Sequence, residues 1–506
     1  MFAKVKSAAI LGIDGYTVDV EVDVSTGLPA FDLVGLATSA VKESKERVRT
    51  AIKNSGYQFP VKRITINLAP ADVKKEGPGF DLPIAIALLA CTGDITAVPG
   101  DILIIGELSL DGAVRGINGV LPVVYSAHKL GIKKCIVPYD NAEEGALVSG
   151  IEVIGVKTLT EAVRYLNSSL EINRSHVDVT KYFEDNRVKR ELDFADVKGQ
   201  IGVKRALEIA AAGGHNIVMI GPPGSGKTMM AMTLPGIMPE LTFDEAIEIT
   251  KIYSVAGQLS GCLITQRPFR TPHHTASAPA LIGGGRLAKP GEISLAHKGI
   301  LFLDELPEFP KGVLEVMRQP MEDRCVTVSR VIGTVVYPAD FMLVASMNPC
   351  PCGYLGTDRC GCAAYDVDKY LKRISGPLLD RIDIHIEASA VGYSDLSSNE
   401  NAERSETIRE RVLQAQRIQA NRYGKEGLLF NSQLSSKQAR KYCALGKEES
   451  DLLKQAFEGL GLSARAFNRV LKVARTAADL EGAEKVDTKH IAEAIGYRSL
   501  DRKYWK

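Results

Sequence analysis

The stretch that most constrains this chain is NIVMIGPPGSGKTMMAMTL, residues 216–234. A short apolar run leads into a glycine-rich turn, and a run of helix-forming residues follows. The turn matches the pattern G-x-x-x-x-G-K-[ST] in full, from Gly221 to Thr228. This order predicts a strand, a phosphate-binding loop and a helix, which is the start of an α/β core with a parallel sheet.

The composition of this turn suits a triphosphate. Backbone N–H groups that point inward bind phosphate oxygens, and glycines leave the loop free of obstructing side chains. The Lys227 ammonium brings positive charge to the β and γ phosphates, and the Thr228 hydroxyl is a ligand for Mg²⁺. We therefore predict that ATP is bound by Gly221, Pro222, Pro223, Gly224, Ser225, Gly226, Lys227 and Thr228.

Two later apolar runs end in polar residues that suit hydrolysis. GILFLDELPEF, residues 299–309, places Asp304 to hold Mg²⁺ together with Thr228, and Glu305 to polarise the attacking water. FMLVASMNP, residues 341–349, ends near Asn348. The Asn348 amide either orients the same water or caps the turn before Pro349. The sequence thus predicts Mg²⁺-dependent ATP hydrolysis.

At 506 residues the chain is too long for one hydrophobic core. Residues 1–166 mix alternating strands with helices and form a first α/β or α+β domain. Residues 167–190 lose apolar periodicity and read as a linker. Residues 191–390 alternate short β runs with helices, as parallel sheets do, and residues 391–506 are helical and charged.

The composition limits which partners and which cellular compartment we expect for this protein. The 62 Lys and Arg residues balance 61 Asp and Glu, which argues against a basic coat for nucleic acid but leaves room for a local basic pore. No apolar run reaches membrane-spanning length, so we expect no membrane partner. The cysteines outside residues 350–362 are scattered along the sequence, so we expect them to be free thiols. Free thiols favour a location in a reducing cytoplasm.

These elements, in this order, resemble an AAA+ ATPase. DFADVKGQIGVKRAL, residues 193–207, is similar to that superfamily's adenine-contacting segment. RISGPLLDRIDIHIE resembles its arginine-finger region, with Arg381 as the finger, and SARAFNRVLKVARTAADL resembles its lid helix, with Arg465 as the second sensor. For both arginines the alternative is a surface ion pair. A finger serves a neighbour's γ-phosphate, so the resemblance implies a homo-oligomeric ring, expected to be a hexamer.

RPFRTPHHTASAPALIGGG, PGEISLAHKGILFLDELPEF and VLEVMRQPMEDRCVTVSR narrow the resemblance to the magnesium-chelatase-like ATPases of the YifB/ComM family. It covers essentially the whole chain. It implies a bacterial cytoplasmic ATPase that acts on DNA, as ComM-type ring motors do in branch migration and natural transformation. The alternative is a chelatase-type motor that remodels a protein partner for metal insertion.

The resemblance also suggests where DNA would bind. EDRCVTVSRVIGTVVYPADF, residues 322–341, reads as two strands around a turn, and in related AAA+ proteins a hairpin here points into the ring's pore. Arg330 at this turn, with Arg286 and Lys289 in the preceding loop, would contact the phosphate backbone. Ordinary solvated loop charges are the alternative.

The first domain resembles the Lon-protease or ribosomal S5-domain-2 fold, in KKEGPGFDLPIAIALLACTGDI and the segment that follows. Proteases of that type activate a serine with a lysine. In this chain the serine position falls on Gly79 and the lysine position on Leu121. We therefore expect a protease-inactive scaffold for DNA or a partner, or an element that stabilises the ring.

Two clusters remain open. Cys350, Cys352, Cys360 and Cys362 lie within NPCPCGYLGTDRCGC and would enclose a structural Zn²⁺, although packing thiols or a redox role are alternatives. For His273 and His274 a structural or subunit-contact role is favoured over metal binding.

Overall fold

A computed structural model describes residues 1–36, 38–71, 75, 77–186, 192–285, 288–330, 333–390, 392 and 402–505 of the chain. Within these residues the chain forms one mixed sheet, one parallel sheet and a C-terminal group of helices. The two sheets belong to different hydrophobic clusters.

The first sheet has seven strands. Its order is β3-β4-β2-β1-β5-β8-β9, antiparallel at β1–β2 and β2–β4 and parallel elsewhere. Alternation along TVDVEVDV buries every valine of β2, at every second residue, so one face of this strand packs on the core. The strands of this sheet are β1 (Phe2–Leu11), β2 (Asp14–Ser25), β3 (Ala30–Val34), β4 (Arg63–Ala69), β5 (Ile102–Ile104), β8 (Lys134–Pro138) and β9 (Glu152–Val156), and β6 (Glu107–Leu108) and β7 (Val114–Arg115) form a separate antiparallel pair.

Helices cover this sheet. The apolar run LPIAIALLAC forms the buried helix α3, because its side chains are apolar on every face. The buried Asp81 carboxylate at its start accepts hydrogen bonds from Arg47 at 2.6 and 3.0 Å. The helices are α1 (Ser39–Lys42), α2 (Ser44–Asn54), α3 (Asp81–Thr92), α4 (Val120–Lys129), α5 (Ala142–Ala146), α6 (Leu159–Leu166) and, within the predicted linker, α7 (Val179–Asp185).

The second sheet has five parallel strands in the order β11-β14-β17-β10-β18. Its three central strands are buried on both faces, as expected for a parallel sheet covered by helices. The predicted α/β core with a parallel sheet is therefore present. The strands are β10 (Ile217–Ile220), β11 (Phe269–Arg270), β14 (Ile300–Leu303), β17 (Met342–Met347) and β18 (Ile384–Glu387).

Two short antiparallel pairs of this region lie outside the parallel sheet, and one is the predicted hairpin, in which Arg330 is paired with Gly333. The pairs are β12 (Gly283–Gly284) with β13 (Lys289–Pro290) and β15 (Cys325–Arg330) with β16 (Gly333–Pro338). The helices of this region are α8 (Ile201–Gly213), α9 (Lys227–Thr233), α10 (Phe243–Ala256), α11 (Ala278–Ile282), α12 (Glu292–Leu295), α13 (Lys311–Val316), α14 (Arg318–Asp323), α15 (Ala364–Leu371) and α16 (Gly376–Leu379).

The C-terminal residues are helical, as predicted, and pack on α8 and the parallel sheet in one cluster. None of the helices in the described ranges is both long and apolar enough to cross a membrane. The C-terminal helices are α17 (Ser405–Tyr423), α18 (Ser436–Tyr442), α19 (Lys447–Leu460), α20 (Ala464–Leu480), α21 (Thr488–Gly496) and α22 (Leu500–Tyr504).

A buried polar contact joins the first sheet's helices to α10. Ser254 accepts a hydrogen bond from the Gly119 backbone N–H at 2.9 Å and donates one to the Glu144 carboxylate. Glu144 also accepts from the Leu121 N–H at 2.8 Å. Apolar residues of both parts surround this contact in a shared cluster. The first domain is therefore packed directly onto the parallel-sheet core.

A buried carboxylate joins α20 to the amino end of β18. Asp383 forms an ion pair with Arg469 of α20 and lies 3.5 Å from Nδ1 of His215. Burial raises the pKa of Asp383, but the Arg469 charge and the neighbouring His215 outweigh it and hold this pKa well below its usual range. Asp383 is therefore charged at neutral pH and stabilises the contact between the C-terminal helices and the sheet.

We expect Asp383→Asn to lower the free energy of unfolding of this region by about 3 kcal/mol, because it leaves Arg469 without its buried partner. Urea unfolding measures the loss. The matched control is Asp368→Asn, which breaks an exposed pair with Lys372 and should cost less than about 0.5 kcal/mol.

The difference between wild type and Asp383→Asn also depends on pH. Because the folded-state pKa is lowered, the stabilisation is complete above the unfolded value of about 4 and is lost as the pH falls below it. A difference that grows on acidification would contradict this assignment.

Candidate functional site

The glycine-rich loop between β10 and α9 is bare toward solvent. Gly224 and Gly226 have φ values of +78° and +80°, and a methyl group at either would meet no atom within 4 Å. At Gly221 a methyl group would lie 2.3 Å from the Ala388 carbonyl oxygen, so a side chain does not fit there. The loop therefore has the open backbone that phosphate binding requires.

Lys227 lies inside this loop. Its ammonium donates to the carbonyl oxygens of Gly221 at 2.8 Å and Pro222 at 2.9 Å, and lies 3.4 Å from Oδ1 of Asn348. Burial lowers the pKa of Lys227, and the charges of the nearby acids Asp304 and Glu305 partly oppose this shift. The ammonium is thus held where phosphate oxygens would approach the loop.

The carboxyl ends of β14 and β17 face the same loop. The Thr228 hydroxyl donates to Oδ2 of Asp304 at 2.8 Å, and the Ser346 hydroxyl donates to Oδ1 of the same carboxylate. Oxygen donors of this kind are the ligands that Mg²⁺ prefers, and it usually takes only one or two protein ligands beside phosphate and water. The Thr228 and Asp304 oxygens therefore fit Mg²⁺. Ser346 was not predicted, although it lies two residues before Asn348.

Glu305 lies beside this pair in a left-handed backbone conformation, with φ at +53°. Its side chain is 54% exposed, and one carboxylate oxygen lies 3.4 Å from Nδ1 of His274. The His274 ring packs against His273, with centroids 4.1 Å apart, and meets the edge of Phe309. The sequence singled out the histidine pair without finding this contact, because β11 and β14 bring the two segments together.

Arg381 and Arg465, which were predicted to be the finger and the second sensor, lie at the edge of the sheet opposite the phosphate loop. Arg381 comes just before β18 begins, and its backbone carbonyl accepts a hydrogen bond from Asn216, which precedes β10. Strands of four residues span about 13 Å, so Arg381 is remote from the phosphate loop of its own chain. Its side chain is only 8% exposed and pairs with Glu322 at 2.6 Å.

Arg465 lies in the first turn of α20 and is exposed. The preceding Ser463 donates to Asp380 at 3.3 Å, which places this turn beside Arg381. The structure therefore brings together Lys227, Thr228, Asp304, Glu305 and Asn348, and it does not bring Arg381 and Arg465 to them.

The four clustered cysteines have converging sulfur atoms. All four Sγ atoms lie within 4.8 Å of one another, and three of the separations are 3.4, 3.7 and 3.9 Å. Tetrahedral coordination with Zn–S bonds of about 2.3 Å places sulfurs about 3.8 Å apart. The separations fit this geometry, and all four thiols are free of disulfides.

The predicted DNA contacts are only partly described. Lys289 is exposed in β13, and Arg330 ends β15 at the hairpin turn. Arg286 lies outside the described residues. In the first domain, Gly79 precedes α3 and Leu121 is buried in α4.

Three family models match successive parts of the chain. Residues 20–141 match subunit ChlI of Mg-chelatase, residues 193–396 match magnesium chelatase, subunit ChlI, and residues 402–498 match the ChlI C-terminal region. The second of these ranges contains the phosphate loop, Asp304, Glu305 and Asn348.

Curated relatives extend the match to nearly the whole chain. The competence protein ComM of Haemophilus influenzae is 44% identical over 99% of this chain and 98% of that protein. The protein YifB of Escherichia coli is 43% identical over 98% and 97%. Lon protease 2 of Bacillus subtilis is 31% identical over 28% of this chain and 26% of the protease. The chain belongs to the YifB/ComM family of magnesium-chelatase-like AAA+ proteins.

Proposed function

We propose that this protein is a Mg²⁺-dependent ATPase that assembles into a ring, expected to have six subunits, and uses ATP hydrolysis to remodel DNA. The observation that carries this proposal is the convergence of Lys227, Thr228, Asp304, Glu305 and Asn348 on one bare phosphate loop. The domain bounds that go with it are 1–166, 167–190, 191–390 and 391–506.

In this proposal each residue of the site has one task. Backbone N–H groups of residues 221–228 bind the phosphates, and Lys227 neutralises charge on the β and γ groups. Thr228 and Asp304 would hold Mg²⁺, which would supply positive charge against the negative charge that develops on the phosphates. Glu305 accepts a hydrogen bond from the attacking water, and Asn348 orients that water.

The ring follows from the position of Arg381 and Arg465. Both lie at the sheet edge opposite the phosphate loop, so they reach a γ-phosphate only if it belongs to a neighbouring subunit. Arg381 then has to leave Glu322, its partner in the isolated chain. In this arrangement the C-terminal helices are the lid, with Arg465 as its sensor.

The DNA assignment rests on the hairpin and on the relatives. The β15–β16 hairpin with Arg330, and the loop with Arg286 and Lys289, would line a pore whose positive charge is multiplied by the number of subunits. One relative is named competence protein ComM, and the resemblance to ComM-type motors implies a role in natural transformation. This supports branch migration or related DNA remodelling in the cytoplasm as the activity, with residues 1–166 as a protease-inactive scaffold.

A second candidate function is a chelatase-type motor that remodels a protein partner for metal insertion. The observation in its favour is that all three family models describe a magnesium-chelatase subunit. DNA distinguishes the two candidate functions. We expect it to stimulate ATP turnover by a DNA motor and not by a chelatase-type motor.

We propose in addition that Cys350, Cys352, Cys360 and Cys362 hold a structural Zn²⁺. The sulfur separations near the tetrahedral value support this choice over packing thiols or a redox pair. The metal would fix an irregular segment and would take no part in hydrolysis.

ATP turnover tests the main proposal. We expect single-stranded, duplex or four-way-junction DNA to stimulate turnover, and Lys227→Ala to reduce it by about 10²-fold or more, because a charge that stabilises the transition state is lost. Lys133→Ala should leave ATP turnover unchanged, because the Lys133 side chain is exposed and lies 3.9 Å from its ion-pair partner Asp101. Turnover that responds to none of these DNAs but rises with a porphyrin-binding protein would favour the chelatase alternative.

Metal analysis tests the zinc assignment. The purified protein should contain about one zinc per chain. We expect Cys360→Ser to reduce this content strongly, whereas Cys325→Ser, at a cysteine outside the cluster, should not. A wild-type protein purified without chelator that carries no zinc would contradict the assignment.

A further inference from the structure

The cysteine segment touches the phosphate loop. Gly353 has a φ of +85°, and a methyl group added to it would lie 2.4 Å from Cδ and 2.8 Å from Cγ of Pro223. The backbone at Gly353 therefore packs directly on the Pro223 ring, and Pro223 lies in the middle of the loop proposed to bind ATP. A side chain has no room between the two segments.

The same glycine belongs to the turn that carries the first two sulfurs. The Gly353 N–H donates to the Cys350 carbonyl oxygen at 3.0 Å, which closes a turn around Cys352. Cys350 is completely buried and follows Asn348 by two residues. The sulfur cluster, this turn and Pro223 thus form a continuous set of contacts that ends at the nucleotide site.

Among the described residues, the backbone–backbone hydrogen bonds of this segment are all local. The backbone hydrogen bonds at Gly353, Thr357 and Cys360 each reach back only three residues. Bonds of this range define local turns and do not fix one turn relative to the next. The sulfur atoms, in contrast, bring Cys360 to within 3.9 Å of Cys350, ten residues earlier.

We propose that the metal held by the four cysteines positions the phosphate loop, by fixing the turn at residues 350–353 against Pro223, so that loss of the metal weakens nucleotide binding. This inference rests on the proposed ATP and zinc sites, and it adds a physical link between them. The cysteine segment is then a positioning element that makes no contact with the reacting atoms.

Removal and return of the metal form the first test. The full chain is treated with a zinc chelator, dialysed, and titrated with a fluorescent ADP analogue before and after one equivalent of Zn²⁺ is added. We expect the metal-free protein to bind the nucleotide at least about tenfold more weakly, since displacement of a binding loop by about 1 Å is costly, and Zn²⁺ to restore the affinity. Equal affinities with and without zinc would overturn the inference.

A pair of glycine variants tests the contact itself while all four thiols stay in place. Gly353→Ala puts a methyl group against Pro223, whereas Gly356→Ala puts one at a φ of +81° with no atom within 4 Å. Both substitutions strain a left-handed residue of the same segment, so their difference reports the contact. We expect both variants to keep about one zinc per chain, and only Gly353→Ala to weaken nucleotide binding, by about tenfold.

Two further readouts separate this role from general destabilisation. The two glycine variants should have similar melting temperatures. At saturating ATP, the turnover of Gly353→Ala should fall less relative to wild type than its nucleotide affinity does. If Gly353→Ala binds the nucleotide as tightly as Gly356→Ala, the inference is wrong. Failure of zinc-loaded wild type to bind any nucleotide would instead refute the proposed ATP site.

Discussion

Parallel pairing of β10, β14 and β17 is the constraint on which the rest of the candidate site depends. Ile220 is paired with Met347, and Leu303 with Ala345, so these strands end at nearly the same level. The residues that follow them, Gly221, Asp304 and Asn348, therefore emerge at one edge. The hydrogen bond from Thr228 to Asp304 closes this arrangement across 76 residues of sequence.

The opposite edge of the sheet has a different chemistry. The half-buried Asn216 donates its backbone N–H to the buried Asp383, which lies beside the buried His215, and α20 is attached through Arg469. Arg381 and the start of α20 are consequently fixed together, away from their own chain's phosphate loop. A site that needs both edges is complete only where two subunits meet, which is why assembly and hydrolysis are linked in the proposed function.

Much of this could be predicted from the sequence because the signals are local. The phosphate loop, the apolar runs ending in Asp304 and Asn348, and the hairpin at 325–338 each depend on contiguous residues whose pattern fixes their conformation. The uniformly apolar run LPIAIALLAC likewise predicts a buried helix, and it forms α3. The sequence also shows that the four cysteines of the cluster are close along the chain, but only the structure shows that their sulfur atoms converge.

The remaining features depend on contacts between distant segments. His274 meets Glu305, Ser346 meets Asp304, and Gly353 meets Pro223 only because the sheet aligns their strands. The pairing of Arg381 with Glu322 likewise follows from how α14 packs, and neither residue type nor spacing signals it. Sequence patterns report what a segment prefers, whereas these contacts are set by the order of strands in the sheet.

Mixing two inactive variants tests most directly whether the site is shared between subunits. Arg381→Ala and Glu305→Gln chains should each turn over ATP very slowly alone. In an equal mixture, about a quarter of the head-to-tail interfaces would join an intact Glu305 to an intact Arg381, so turnover should reappear. A mixture that stays as inactive as its components would contradict the shared site and the ring built on it.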